Sequence, residues 1–361
     1  MKYYKRNETR KVNVGGVIIG GGSPITVQSM VNTDKGDWKA AVRQIKELEN
    51  AGCEIVRISL PDIQTAQDIS KIKKRIKIPL VADIHFDYRI AIEAIKQGID
   101  KLRLNPGNIG AKENISAVVE EAKKAHIPIR IGLNAGSLKS IRKINDNFLR
   151  AKELVKAAMD NVKIFERHKF YDIVVSLKSS NISITAEAYK IFASKRNYPL
   201  HLGITESGSL FSGNIKSAAG LGIMLYDGLG DTIRVSLTAN PVEEVKAGYC
   251  LLQALGLRNS GIEIISCPTC SRCQVDLINM VCQTEEALSK MKRLKNLSKP
   301  IKIAMMGCVV NGPGEAKDAD FGIAGTKDGG LLFENGEIIG KVKPKNWVKT
   351  ILSMISRYQN S

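Results

Sequence analysis

The sequence predicts an α/β protein, a TIM-type (β/α)8 barrel over residues 1–257 followed by a smaller α/β domain over residues 258–361. Three observations predict it. Short β-branched runs alternate with longer amphipathic stretches through the first 255 residues, the pattern of parallel strands joined by right-handed crossovers. Eight such units in about 230 residues fit a closed barrel better than an open sheet. The alternation then stops near residue 258, where RNSG (258–261) reads as a hinge and a different order of elements follows.

In chain order the strand candidates are ITVQSM (25–30), EIVRIS (54–59), IPLVADI (78–84), DKLRLN (100–105), IPIRIGL (127–133), DIVVSLK (172–178), PLHLGIT (199–205) and DTIRVSL (231–237). Helical patterns separate them, among them Trp38 to Ala51, Tyr88 to Gln97, Glu113 to Ala125 and Pro241 to Leu255. Beyond the hinge, IEIIS (262–266) reads as a strand leading into a cysteine cluster. A helix over about 274–294, a strand at IKIAMMG (301–307), short strands near 321–324 and 331–334 and a last helix from about 345 complete the second domain.

Composition bounds the function. A chain of 361 residues, 43% hydrophobic, can bury one large core and a smaller one. No apolar run approaches the ~18 residues a bilayer span needs. The first residues, MKYYKRNETRKVNVGG, carry positive charge with no apolar stretch behind them, so a cytoplasmic protein without a membrane segment is expected. Lys and Arg number 54 against 36 Asp and Glu, a net charge of +18 that suits anionic small molecules or an acidic protein partner. Nucleic acid is disfavoured, because 5% aromatic content supplies no stacking platform and the chain has no basic arm.

In such a barrel the chemistry collects at the carboxyl ends of the strands. Arg57 and Ser59 end the second strand, Asp83 and His85 the third, and Arg103 and Asn105 the fourth. Arg130 and Asn134 close the fifth, Lys178 the sixth, Thr205 and Glu206 the seventh, Arg234 and Ser236 the eighth. Each alone reads as an ordinary surface residue. Four arginines and a lysine on one rim describe a pocket for a polyanion, and guanidinium groups match phosphate oxygens two at a time. The loop NPGNIG (105–110) adds backbone N–H groups ahead of a helix, a second anion-binding device. Asp83 and His85, one residue apart, share a strand face; His85 reads equally as a satisfied rim histidine. Glu206 is the odd carboxylate, suited to general acid–base work or to orienting a rim cation.

The seven cysteines are an odd set without a signal sequence, which argues against a disulfide framework. SCPTCSRC (266–273) holds a C-x2-C-x2-C spacing that points to a metal. Cysteine-only zinc wants a second C-x2-C pair, and there is none. Cys308, in GCVVNGPGE (307–315), is the remaining nearby candidate, and spacing leaves open whether Cys273 or Cys308 gives the third thiolate of a [4Fe–4S] cluster. Cys53, Cys250 and Cys282 read as ordinary buried thiols. A zinc-stabilised phosphate-binding barrel, similar to the dihydropteroate synthases, is the enzyme alternative; a basic nucleic-acid binder with a zinc knuckle is the non-enzyme one. Brown iron with labile sulfide, or colourless zinc, separates them.

ADIHFD (82–87), LRLNPGNIG (102–110), IRIGLNAGSL (129–138), LHLGITESG (201–208), GDTIRVSLT (230–238), SCPTC (266–270) and MGCVVNGPGEA (306–316) closely resemble the two-domain bacterial 4-hydroxy-3-methylbut-2-enyl diphosphate synthase family. The resemblance covers nearly the whole chain. It implies a barrel followed by a domain similar to those of sulfite and nitrite reductases, and a [4Fe–4S] cluster on Cys267, Cys270, Cys308 and Glu315, with Cys273 not a ligand. It implies reductive opening of 2-C-methyl-D-erythritol 2,4-cyclodiphosphate by two electrons from a flavodoxin or ferredoxin. It also implies a homodimer in which each chain's cluster serves the other's barrel. Arg57, Arg103, Arg130 and Lys178 match the diphosphate-binding positions, Asp83, His85, Asn105, Asn134, Arg234 and Ser236 further pocket positions, and Glu206 the catalytic glutamate. The chain departs from the family at Ser271, commonly Gly, and at Lys178-Ser179-Ser180-Asn181, often K-A-S-D.

Overall fold

A computed structural model describes residues 6–110, 112–138, 140–258, 261–289, 301–310 and 318–360. The chain forms two compact units, dividing between residues 258 and 259. The first opens with a hairpin, β1 (Val12–Val14) and β2 (Val17–Ile19), followed by eight parallel strands. These are β3 (Thr26–Met30), β4 (Ile55–Ser59), β5 (Leu80–Ile84), β6 (Lys101–Leu104), β7 (Ile129–Asn134), β8 (Ile173–Lys178), β9 (His201–Leu202) and β10 (Thr232–Ile233). Their order is β8-β7-β6-β5-β4-β3-β10-β9, and a parallel bridge from Val175 to Leu200 joins the two ends into a barrel.

A helix follows each strand: α1 (Trp38–Ala51), the short pair α2 (Ile63–Gln67) and α3 (Ile69–Lys73), α4 (Tyr88–Lys96), α5 (Lys112–Lys124), α6 (Asn147–Arg167), α7 (Ile182–Ala193), α8 (Leu210–Tyr226) and α9 (Pro241–Ala254). The starts are written in the sequence. The side chains of Asp37, Asp87, Asp146, Asn181 and Asn240 each accept from a backbone N–H of the first turn, and Pro241 takes the first position of α9. Among the described residues no helix is long and apolar enough to cross a membrane.

Period two sorts the strand residues. Val56, Leu80, Ala82, Leu102, Leu104, Ile129, Ile131, Val175 and Leu177 pack outward in the core shared with the helices. The alternate residues face the barrel interior. At its amino-terminal end Ile55, Val81 and Val174 form an apolar layer with Val12, Val14 and Ile19 of the hairpin, which closes the base. The hairpin escapes a reading of the sequence because its strands are three residues each and its face is buried only against the barrel's end. β9 and β10 are shorter than predicted. Beyond Leu202 and Ile233 the backbone peels away from regular pairing, though the Arg234 N–H still reaches the Leu202 carbonyl at 3.0 Å.

The second unit is a five-stranded sheet in sequential order: β11 (Ile262–Ser266), β12 (Ile301–Met306), β13 (Phe321–Thr326), β14 (Gly329–Glu334) and β15 (Glu337–Val342). The first three strands are parallel and the last two antiparallel. One face packs on α10 (Leu277–Ser289) and α11 (Trp347–Asn360) through Ile303, Met305, Ile323, Trp347 and Ile351. β15 was not expected: Ile338 and Ile339 are exposed and no buried face marks it. Its signal lies in the turn instead, Asn335-Gly336, where both residues take positive φ (50° and 84°), as a two-residue hairpin requires. The predicted end of α10, residues 290–294, lies outside the described residues.

Candidate active site

The interior positions above the apolar floor are polar on nearly every strand. β4 contributes Arg57, β5 Asp83, β6 Lys101 and Arg103, β7 Arg130 and β8 Lys178. His201 comes from β9 and Arg234 from just beyond β10. The rows line up in register: Asp83 pairs with Arg103, Arg103 with Arg130, and Asn134 with Lys178.

Asp83 is shared between two guanidinium groups, with Arg103 Nη1 at 3.0 Å and Arg57 Nε at 3.6 Å. Arg57 also points Nε and Nη2 at the Met30 sulfur, at 3.1 and 2.9 Å. Arg234 is clamped by both oxygens of Glu244 from α9, each at 3.0 Å, and Glu244 is itself fixed by the Ser29 hydroxyl and the Leu237 N–H. Among the described residues Arg130 has only Gln28 Oε1 at 3.4 Å, and the fully buried Lys101 has no hydrogen-bond partner at Nζ. Lys178 Nζ lies 3.3 Å from His201 Nε2.

Among the described residues, six cations (Arg57, Lys101, Arg103, Arg130, Lys178 and Arg234) share this interior with two buried carboxylates, Asp83 and Glu244, which pair with only three of them. Burial would raise the Asp83 carboxyl, but Arg57, Arg103 and Arg130 outweigh it and hold it at about 2. Burial, helped by neighbouring positive charge, pushes Lys101, Arg130, Lys178 and His201 well below their ordinary values. Arg57 falls to about 10 for the same first reason. A surplus of buried positive charge of this kind is costly until an anion arrives.

Two glycines make room for the cations themselves. A β-carbon at Gly132 would stand 2.5 Å from Arg103 Nε, and one at Gly203 would stand 2.6 Å from Lys178 Nζ. Both glycines occupy inward positions, so the absent side chains are the space the cations fill.

The other predicted residues surround this cluster less tightly. Asn105, just past β6, is buried with its side-chain oxygen unpartnered. Asn134 ends β7 and His85 lies one residue beyond β5, both half-buried; Ser59 ends β4, while Thr205 and Ser236 lie three residues beyond the shortened β9 and β10. Glu206 is exposed on the loop after β9, and its backbone is left-handed (φ 53°), a conformation costing a glutamate about 1 kcal/mol or more; His126 and Lys169, just past helix ends, share it. Reading only the carboxyl ends misses Lys101 and His201, which begin their strands. Strict period two from Arg103 and Gly203 finds both.

The pairing of Asp83 makes an acid test. Its carboxyl is depressed in the folded state, so its contribution is present above the ordinary value near 4 and disappears as pH falls towards 2. The stability difference between the native chain and D83N, followed by urea unfolding at stepped pH, should shrink by about 2 kcal/mol between pH ~4 and pH ~2. A difference constant across that window would detach Asp83 from the arginines.

In the second unit, Ser266 pairs with Met305, which sets Cys267 beside Gly307 and Cys308 at the carboxyl edge of β11 and β12. The Gly307 N–H points at Cys267 Sγ at 3.3 Å. Cys308 is buried and Cys270 exposed. Cys273 Sγ points instead to the Val275 carbonyl at 3.2 Å. Glu315 lies outside the described residues, and among those described no three His, Cys, Asp or Glu side chains are gathered closely enough to hold a metal ion. The donor set fits iron and sulfide: thiols from two adjacent loops, with a backbone N–H on one sulfur as such clusters use.

Residues 9–249 match the GcpE TIM-barrel domain and residues 263–357 the GcpE protein C-terminal domain. The chain belongs to the GcpE family. It is 53% identical over 353 residues to the 4-hydroxy-3-methylbut-2-en-1-yl diphosphate synthase (flavodoxin) of Clostridium acetobutylicum, covering 97% of this chain and 99% of the relative. A Thermodesulfovibrio yellowstonii protein of the same name is also 53% identical, over 98% of this chain and 99% of its own. Among solved structures the barrel is similar to the dihydropteroate synthases of Stenotrophomonas maltophilia (TM-score 0.52, 14% identity, 67% of this chain and 98% of that one) and Xanthomonas albilineans (0.51, 12%, 69% and 98%). At that identity the likeness shows the fold alone, so the transferase alternative gains a shared barrel and nothing of its chemistry.

Proposed function

We infer that this chain is an oxidoreductase that opens 2-C-methyl-D-erythritol 2,4-cyclodiphosphate and dehydrates it to 4-hydroxy-3-methylbut-2-enyl diphosphate, a step of the non-mevalonate route to isoprenoids. Membership of the GcpE family supports the reaction. The observation that carries it on this chain is the buried cationic interior of the barrel, built for a polyanion.

Arg57, Arg103, Arg130 and Lys178 hold the diphosphate, and Asp83 keeps two of those arginines aimed before substrate arrives. Arg234, fixed by Glu244, lines the same pocket with Asn105, Asn134, His85 and Ser236. Holding both phosphates fixes the ring carbon in place as its C–O bond to phosphate breaks and the hydroxyl leaves as water. Glu206 donates the proton that the departing hydroxyl requires. Cys267, Cys270, Cys308 and Glu315 of the second domain would hold a [4Fe–4S] cluster, which would supply the two electrons that no side chain can. A flavodoxin delivers them, in keeping with the relatives' names, and the +18 charge suits docking such an acidic carrier. The reading includes a homodimer with shared active sites, working in the cytoplasm.

The test is anaerobic purification, reconstitution with iron and sulfide, and assay with the cyclic diphosphate and reduced flavodoxin. A protein that assembles its cluster and still makes no product defeats the reading. In the same assay E206Q should keep the cluster absorbance while turnover falls by about 100-fold or more, the usual range for a lost general acid. Undiminished turnover would remove Glu206 from the mechanism.

A further inference from the structure

We propose that His201 is a positioning residue, a neutral acceptor at the base of the pocket that aims the Lys178 ammonium at the diphosphate. This rests on the place given to Lys178 in the reading above.

The geometry leaves few choices. Lys178 Nζ and His201 Nε2 are 3.3 Å apart and both residues are buried, His201 completely. Two cations at that distance, without a carboxylate on either, would repel in a medium that screens poorly. An ammonium has three donors and no acceptor, so for Lys178 to carry its charge to a diphosphate, against the burial that lowers it, the imidazole must accept at Nε2 and carry its own proton on Nδ1. Among the described residues that Nδ1 has no partner, and Lys178 is the one side chain that the imidazole ring meets by a hydrogen bond. Burial first, then the charges of Arg130, Lys178 and Lys101, holds His201 in its neutral form.

The pair is also built into a rigid frame. The Tyr189 hydroxyl donates to the His201 carbonyl at 2.6 Å and accepts from the Leu177 N–H at 2.9 Å, stapling β9 to the residue before Lys178. Gly203, two residues along from His201, leaves the space in which the lysine head sits. A lysine side chain otherwise samples many rotamers, and a held ammonium loses less entropy when the anion binds.

The experiment uses inorganic pyrophosphate as probe on the full chain, reconstituted anaerobically, with binding measured by calorimetry. H201L removes the acceptor. H201N keeps an amide but places it where Nδ1 was, out of reach of Lys178. H201Q places an amide oxygen near the lost Nε2. Circular dichroism and the melting midpoint check that each is folded, and H201Q and H201N together decide the matter even where H201L does not fold. H201L and H201N should each weaken pyrophosphate by about 10-fold or more, with H201Q recovering most of it. K178M should weaken it at least as much, and adding H201L to K178M should cost nothing further, because the partner is already gone. Additive losses, or an H201Q as weak as H201N, would overturn the proposal and make His201 a packing residue. Native-like binding by K178M would instead remove Lys178 from the diphosphate site.

Discussion

Replacing Cys308 by serine should give a folded, colourless protein that turns over no substrate. Cys308 is only 7% exposed at the end of β12, and serine fits the same space, so the fold has little reason to change. On the proposed ligand set what changes is a thiolate: a hydroxyl does not replace it on iron. Iron and sulfide analysis should fall, the broad visible absorbance should vanish, and turnover should drop by at least about 10³-fold, since the proposed cluster is the carrier of the electrons. The informative partner is C273S. Its sulfur faces the Val275 carbonyl and stands where a β-carbon on Gly307 would be, 2.6 Å away, so its part is to brace the loop. C273S should therefore keep its colour. Colour retained in C308S and lost in C273S would exchange the two roles.

The second large effect has two signs. Arg130 is 1% exposed and, among the described residues, has no carboxylate in contact and leaves Nε without a partner. Methionine there fills a similar volume and removes one of six mutually repelling charges. Exchanging a buried charge for an apolar side chain is often stabilising, and R130M should melt about 2–4 °C higher. The same change deletes a charge-assisted grip on phosphate, so kcat/KM should fall by at least about 100-fold. Both movements are read on one preparation, by a melting curve and by steady-state kinetics. A variant that is less stable and less active would mean that Arg130 is a structural residue, and the surplus of charge would lose its functional explanation.

Much of this was legible in the residues. The eight strands, the helix starts and the carboxyl-end arginines follow from period two, capping chemistry and barrel geometry, and the break near residue 258 from a change in that rhythm. What stayed hidden depends on surroundings that the local sequence pattern does not carry. Glu244 sits in a helix that looks amphipathic, and nothing nearby says it will clamp Arg234. Lys101 looks like a surface lysine until its strand closes into a ring. The hairpin at the start of the chain has no core of its own, and β15 has no buried face at all. The cysteine loops were recognised from spacing, while the choice among Cys267, Cys270, Cys273 and Cys308 came from the family resemblance; the register of Ser266 against Met305 brings Cys267 beside Gly307.

The apolar plug of Val12, Val14 and Ile19 under the strands has a kinetic corollary. The chamber is a cul-de-sac. Whatever enters past the rim must leave past the rim, including the water expelled during dehydration and the linear diphosphate that replaces the ring. Departure of the product and admission of the next substrate molecule thus share one doorway and take turns in it, so each turnover has a built-in sequence that a through-channel would not impose.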